Sequence, residues 1–302
     1  MPPDPMRRTG RLRRRIFLRL ALCETFAMSL DRVQPLRALP AAALRGVRGV
    51  LTDIDDTLTT DGAITPDALE ALVQLRAAGL PVVAITGRPM GWSQPFAQPP
   101  PQGWPLDAIV AENGAVALFC KGGAMVTEFA QDASVRAANA LRLKRAAQRV
   151  LREVPGATLA RDSAGRVTDI AIDHSEFTQL PRAQIDQAVA LMRSEGLSAT
   201  VSSIHINGWF GEHTKLSGAR WIVQRLFGRD IESELDRWIY VGDSTNDQLM
   251  FGHFPLSVGV ANLLRFEVEL EVWPAYLTHG ERGAGFAEVA QRLLQARADA
   301  SR

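Results

Sequence analysis

Two short apolar runs, residues 47–52 and "LPVVAIT" (residues 80–86), flank a stretch whose leucines recur at helical spacing, and this alternation narrows the folds open to the chain most. Strands that are apolar at nearly every position need cover on both faces, which a parallel sheet with helices on either side provides. Thr65 and Pro66 mark a helix start, and Gly79 lies just past its expected end at residue 78. A third strand is expected at "DAIVAE" (residues 107–112), after a proline-rich loop from Pro95 to Pro105 that fits neither a helix nor a central strand. The same texture returns late in the chain. There a helix over residues 217–227, the strand "WIYVG", a short helix from Asn246, the strand "LSVGV" and a final amphipathic helix within residues 283–295 are expected.

The middle of the chain reads differently. A long Ala/Arg/Leu helix over residues 134–153 precedes two strands in "ATLARDSAGRVTDIAID", joined by a turn at residues 163–165. A helix over residues 182–195 and one strand through "ATVSSIHIN" complete a small α+β module inserted in the sheet domain. The expected division is an N-terminal extension and lead-in (1–46), a core made of 47–120 and 211–302, and an insert of 121–210. Gly122, Gly123, Gly208 and Gly211 lie beside the junctions, where a mobile module needs backbone freedom.

An apolar content of 46% over 302 residues is ample for a real core. Lys and Arg number 34 against 33 Asp and Glu, so no global field argues for nucleic acid. Two cysteines make neither a disulfide framework nor a zinc site, and they fit a reducing, cytoplasmic setting. Seven arginines among the first 19 residues lead into a short apolar stretch that resembles a targeting sequence. That stretch is too short to span a bilayer and has no clear cleavage site, so no stable membrane insertion is expected. It reads as an extension outside the fold, with Met28 as an alternative start, or as a short arm packed on the domain. Oligomeric state is left open by the sequence.

Three carboxylates, Asp53, Asp55 and Asp56, crowd into four positions after the first strand, in "VLTDIDDTLTTDG". Like charges this close oppose each other unless solvent or a cation compensates them, so the cluster is a solvated turn or a metal site. Ligands of parallel α/β sheets bind where the chain leaves the carboxyl ends of strands. Asp53 and Asp55 leave the first strand, Thr86, Gly87 and Arg88 the second, and Asp243 and Asp247 of "GDSTND" a later one. Lys215 opens a helix nearby. Together these groups suit phosphoryl transfer: Asp53 as nucleophile and metal ligand, Asp243 completing the cation site, Thr86 and Lys215 on the phosphate oxygens, and Asp55 as proton donor and acceptor.

The ordered set "DIDDTLT", "ITGR", "ENG", a lysine and "GDSTNDQLM" resembles the haloacid dehalogenase-like hydrolase superfamily, over roughly residues 47–293. The insert between the threonine motif and the lysine is similar to the type II, Cof-like branch, which includes sucrose-phosphate and mannosyl-3-phosphoglycerate phosphatases. The resemblance implies an α/β Rossmannoid three-layer core with a type C2 cap. It also implies Mg2+ held by Asp53, Asp55, Asp243 and Asp247, with Thr86, Gly87 and Lys215 on phosphate. Arg88, Asn113 and Asn246 become supporting or substrate residues. From the insert, Asp173, His174 and Asn207 stand at strand ends with polar groups suited to hydroxyls. The implied activity is hydrolysis of a small phosphorylated metabolite, a sugar phosphate or phosphorylated sugar acid. A phosphosugar mutase using the same aspartate and a non-catalytic receiver-like module are the alternatives. One departure stands out: relatives often place glycine directly after the lysine, whereas here Leu216 follows and glycine waits until Gly218.

Overall fold

The computed structural model describes residues 33–299, and the arginine-rich segment of residues 1–32 lies outside them. The larger sheet runs in space Gln34–Pro35, Tyr276–Leu277, Leu256–Gly259, Trp238–Gly242, Gly49–Thr52, Val82–Ile85, Ala108–Ala111, Val116–Lys121, Ala124–Phe129. The first seven strands are parallel, and the last two turn back antiparallel. Gly49–Thr52 is buried at every position because both of its faces are covered. Val50 shares a buried cluster with Leu72 and Leu75 of helix Pro66–Ala77 and with Phe286 and Leu293 of helix Arg282–Ala298. Leu51 faces the other way, into a cluster with Ile222 and Val223 of helix Lys215–Phe227. Three layers follow from that division, as the continuous apolar runs require.

The antiparallel hairpin Val116–Lys121/Ala124–Phe129 is not foreshadowed by the strand pattern. Gly122 and Gly123, expected at a hinge, both take positive φ (+60° and +81°) and close this two-residue turn, so the large sheet continues to Phe129. A second sheet, in the order Ser198–Val201, His205–Trp209, Asp169–Asp173, Thr158–Leu159, is antiparallel throughout. Helices Ala133–Glu153 and Arg182–Ser194 contribute Leu143, Val150, Ala188 and Met192 to a core with Ile170, Ile172 and Ile206. The expected single strand "ATVSSIHIN" is two strands. Ser202 breaks it, its Oγ accepting from the amides of Ile204 and His205 while its own amide donates to the His205 carbonyl.

Because Trp238–Gly242, Gly49–Thr52 and Val82–Ile85 are neighbours, Asp243, Asp53 and Thr86 leave adjacent strand ends. Helix Lys215–Phe227 reaches the same edge, started by a reciprocal cap between Thr214 and Ser217. Here the displaced glycine finds its reason. A Cβ on Gly218 would lie 2.7 Å from the Gly114 Cα, so the helix meets the "ENG" turn backbone to backbone at residue 218, while Leu216 is buried in the core. No helix among the described residues is long and apolar enough to cross a membrane.

Gly114 has φ +108°, and a Cβ there would sit 2.1 Å from the Thr214 carbonyl oxygen. Gly62 has φ +80° with nothing within 4 Å of the same position. Gly114→Ala should therefore cost about 3 kcal/mol from strain and overpacking together, against about 1 kcal/mol for Gly62→Ala. Urea denaturation midpoints check this, and equal losses would show that the Gly114–Gly218 approach is not a tight constraint.

Candidate active site

Asp53 is 3% exposed and Asp243 and Asp247 are fully buried, with one oxygen from each lying within 4.8 Å of the others. Lys215 is the cation buried among them, its Nζ 2.9 Å from Asp53 Oδ1, 2.7 Å from Asp247 Oδ1 and 3.3 Å from Asn246 Oδ1. Burial works against its charge, but Asp247 and Asp53 outweigh that and raise its pKa. One ammonium cannot satisfy three carboxylates. Burial pushes Asp53 up to about 7 despite Lys215, with Asp247 and Asp55 adding to the rise. Asp243 is raised well above the ordinary range by burial and then by Asp53 and Asp247.

The carboxylates differ in what remains open to a ligand. Asp247 Oδ1 takes Lys215 and the hydroxyl of Tyr240, and its Oδ2 accepts from the amides of Asp243 and Ser244 at 2.9 and 3.1 Å. It is nearly saturated and serves to hold the loop and the lysine. Asp243 Oδ2 accepts from Asn262 at 3.3 Å, whereas its Oδ1 is buried with no hydrogen-bond partner. A buried, unpaired oxygen beside a second carboxylate suits a hard divalent cation, which takes oxygen ligands and offsets the repulsion. Asp53 and Asp243 fit that ion best.

Asp55, two residues on, is held elsewhere. Arg88 Nε lies 3.0 Å from both of its oxygens and Arg88 Nη2 lies 2.9 Å from Oδ1. The same guanidinium reaches Asp162 at 3.2 Å and Glu176 at 2.8 Å, both from the part of the chain that carries the second sheet. Burial opposes the Arg88 cation, and Asp55 and Glu176 more than compensate, so its pKa is raised. Glu176 is also 2.8 Å from His205 Nε2. Burial would raise the Glu176 pKa, yet His205 and Arg88 bring it down to about 2.

Thr86 is fully buried, its Oγ1 accepting from the Arg88 amide at 3.0 Å. Gly87 leaves room for Asn113 and Asn207, which a Cβ would approach at 3.4 and 3.1 Å. Asn113 holds φ +56°, and its buried Nδ2 has no acceptor. Of the three insert residues singled out by sequence, Asp173 accepts from the amides of Glu176 and Phe177 and so shapes a turn. Asn207 donates to the Gly87 carbonyl at 3.3 Å and to Asp169 at 3.1 Å, joining the two sheets. His174 alone of these three lines the cavity of about 510 Å3 that opens between the sheets. Asp55, Asp243 and Arg88 share its wall with Glu176 and Ser203, and Asp53, paired with Lys215, lies outside that lining. His213 is kept neutral by burial, its pKa lowered to about 4, and stacks on Trp209.

Sequence reasoning missed Tyr240, Asn262, Asp162 and Arg166. Asn262 follows the strand Leu256–Gly259, so the strand-end rule would have found it. Arg166 donates to the Gly87 carbonyl at 2.9 Å and pairs with Asp162 and Asp169, contacts that exist only once the two sheets dock.

In chelator, folded Asp53 with a pKa of about 7 keeps a proton that the unfolded chain, at 3.8, has lost. Its contribution is full below the unfolded value and falls as pH rises to about 7, by up to about 1.4 kcal/mol per unit. The melting temperature in EDTA should therefore drop across that range. Asp243→Asn, which removes one of the opposed carboxylates, should raise the melting temperature in EDTA. It should also abolish the stabilisation expected from a divalent cation bound at this cluster, about 2.7 kcal/mol at a hundred times its Kd. An undiminished response to added divalent cation in the variant would contradict the assignment.

A family model described as haloacid dehalogenase-like hydrolase matches residues 50–153. No curated protein matches the chain significantly. Among solved structures, Thermoplasma acidophilum 0175 aligns with TM-score 0.62 at 14% identity, covering 82% of this chain and 98% of that one. The sucrose-phosphatase of Synechocystis sp. PCC6803, in complex with sucrose and phosphate, aligns with TM-score 0.58 at 16% identity over 82% and 98%. A haloacid dehalogenase-like hydrolase from Bacteroides thetaiotaomicron gives 0.56 at 16% over 82% and 99%. At such identities the likeness to these structures is one of fold. The family match over residues 50–153 adds that this part of the chain, which carries Asp53 and Thr86, is similar to haloacid dehalogenase-like hydrolases.

Proposed function

We propose that the protein is a Mg2+-dependent phosphomonoesterase that works through a phosphoryl group carried on Asp53. The observation that carries this reading is the meeting of Asp53, Asp243 and Lys215 at adjacent strand ends, with Lys215 2.9 Å from the proposed nucleophile and an unpaired Asp243 oxygen beside it. Mg2+ held by Asp53 and Asp243 would neutralise charge on the phosphate. Lys215 exchanges its bond to Asp53 for a phosphate oxygen as substrate enters, and Thr86 offers its hydroxyl to another. An Asp53 oxygen then attacks phosphorus, the ester P–O bond breaks, and its electron pair leaves with the alcohol oxygen, which takes a proton from Asp55. Water attacks the aspartyl phosphate in the second half, giving its proton to Asp55, and inorganic phosphate departs.

We further infer that the insert, drawn at residues 121–210 from sequence, is the recognition cap of a cytoplasmic enzyme for sugar phosphates or phosphorylated sugar acids. The support is the composition of the wall that faces the site. His174, Ser175, Glu176 and Ser203 contribute from that segment, and Glu176, ionised at neutral pH, is an acceptor for hydroxyls. A cavity of about 510 Å3 suits a small metabolite.

Asp53→Asn should abolish turnover of an aryl phosphate without loss of fold, and Asp55→Asn should slow sugar phosphates by about a hundred- to ten-thousand-fold. Aryl phosphates, whose leaving group needs less protonation, should suffer less. A screen of sugar phosphates, nucleotides and phosphopeptides by kcat/KM tests the substrate class. Selective phosphopeptide hydrolysis would remove the sugar-phosphate reading and leave the Asp53 chemistry standing.

A further inference from the structure

The far end of the large sheet holds a second cavity, of about 500 Å3, beside the amino ends of Gly49–Thr52, Val82–Ile85 and Trp238–Gly242. Arg45, Arg48, Arg229, Arg237 and Arg297 line it, and no carboxylate does. Arg229 pairs with Glu234 at 2.6 Å, and Arg297 donates to the Val47 carbonyl at 3.1 Å. The side chains of Arg45, Arg48 and Arg237 have no ion pair or hydrogen bond among the described residues.

Helix ends explain part of this cluster. Ala41–Arg45, Pro66–Ala77, Lys215–Phe227 and Arg282–Ala298 all finish near it, and Arg45 and Arg297 are last-turn residues. Each carboxyl-terminal helix end carries roughly half a negative charge, so the four offset about two of the arginines. Glu234 offsets another, and about two positive charges remain. The surplus concentrates at Arg48 and Arg237, which precede the register partners Gly49 and Trp238. They therefore stand beside each other at the starts of neighbouring strands, both exposed, the Arg48 amide donating to the Arg237 carbonyl at 2.7 Å. Like charges so placed destabilise a sheet. In the same lining, Trp238 is fully buried and its indole N–H has no acceptor.

We propose that this cavity binds a small multivalent anion of the organic di- and triphosphate class. Guanidinium forks match phosphate oxygens in pairs, the residual charge calls for a multiply charged partner, and the volume is that of a metabolite site rather than a single inorganic ion. Its occupancy would relieve the Arg48–Arg237 repulsion and brace two strands whose other ends, about 15 Å away, carry Asp53 and Asp243.

The test is calorimetry on the full chain in EDTA and low salt, titrating inorganic tripolyphosphate and, separately, ATP. Chelator leaves the aspartate site acidic and repellent to both, so the measurement needs no turnover and stands whether or not the phosphatase reading does. The eight arginines within residues 1–32 also attract polyanions, so the deciding comparison is with Arg48→Gln/Arg237→Gln in the same full chain. Binding of at least one of the two anions, weakened about tenfold or more in the double variant, with an unliganded melting temperature equal to or above that of the wild type, supports the site. Equal affinities would assign recognition to the phosphate chain, and tighter ATP would add the base. Unchanged affinity in the double variant, or no binding of either anion at millimolar concentration, overturns it.

Discussion

The structure depends on an imbalance of buried charge. Asp53, Asp243 and Asp247 converge on one ammonium, that of Lys215, in a place that water hardly reaches. Asp247 is made safe by four hydrogen-bond donors, and Lys215 is thereby fixed against Asp53. Asp243 keeps one oxygen with no partner. Such an arrangement costs folding energy and is tolerated at sites that need the unmet charge. A cation beside Asp243, and a phosphate for Lys215 to bind, would each relieve it.

Backbone geometry supplies the precision that this cluster requires. Asp53, Thr86 and Asp243 leave three adjacent parallel strands, so their spacing is set by the sheet rather than by loops. The fourth participant comes from a helix whose start is pinned by a cap and by the Gly114–Gly218 approach. The same "ENG" turn also receives the second sheet. Glu112, buried at φ +50°, accepts from the amides of Met90, Val167 and Thr168 and from the Thr168 hydroxyl. Arg88 repeats the pattern from the next loop by linking Asp55 to Asp162 and Glu176. Seating of the second sheet is thus tied, through buried charge, to the residue proposed to move protons.

What sequence could show is what strands and local spacing encode. The strands that carry Asp53, Thr86 and Asp243 are apolar runs, and rules about strand ends bring those residues together without coordinates. The hairpin 116–129 escaped because "VALFCKGGAMVTEF" lies where the texture changes, and its paired glycines suit a hinge as well as a turn. "ATVSSIHIN" looked continuous because the break is made by one serine hydroxyl holding two amides, a hydrogen-bond detail without periodicity. Asp162, Arg166 and Glu176 are ordinary charged residues in the sequence, and only docking of the two sheets gives them partners. The family resemblance grouped Asp55 with the metal ligands. Its side chain lies with Arg88, outside the cluster of Asp53, Asp243 and Asp247.

The central claim is that phosphoryl transfer passes through Asp53. The most direct measurement is acid quenching of Asp55→Asn after mixing with Mg2+ and an activated acyl or aryl phosphate, followed by peptide mass spectrometry. Without the Asp55 carboxylate the attack of water is slowed more than the loss of an activated leaving group, so the phosphoryl enzyme should accumulate. The account predicts one phosphoryl group on the peptide containing Asp53, absent in Asp53→Asn/Asp55→Asn. Phosphorylation elsewhere, or steady phosphate release from Asp53→Asn at the wild-type rate, would contradict it.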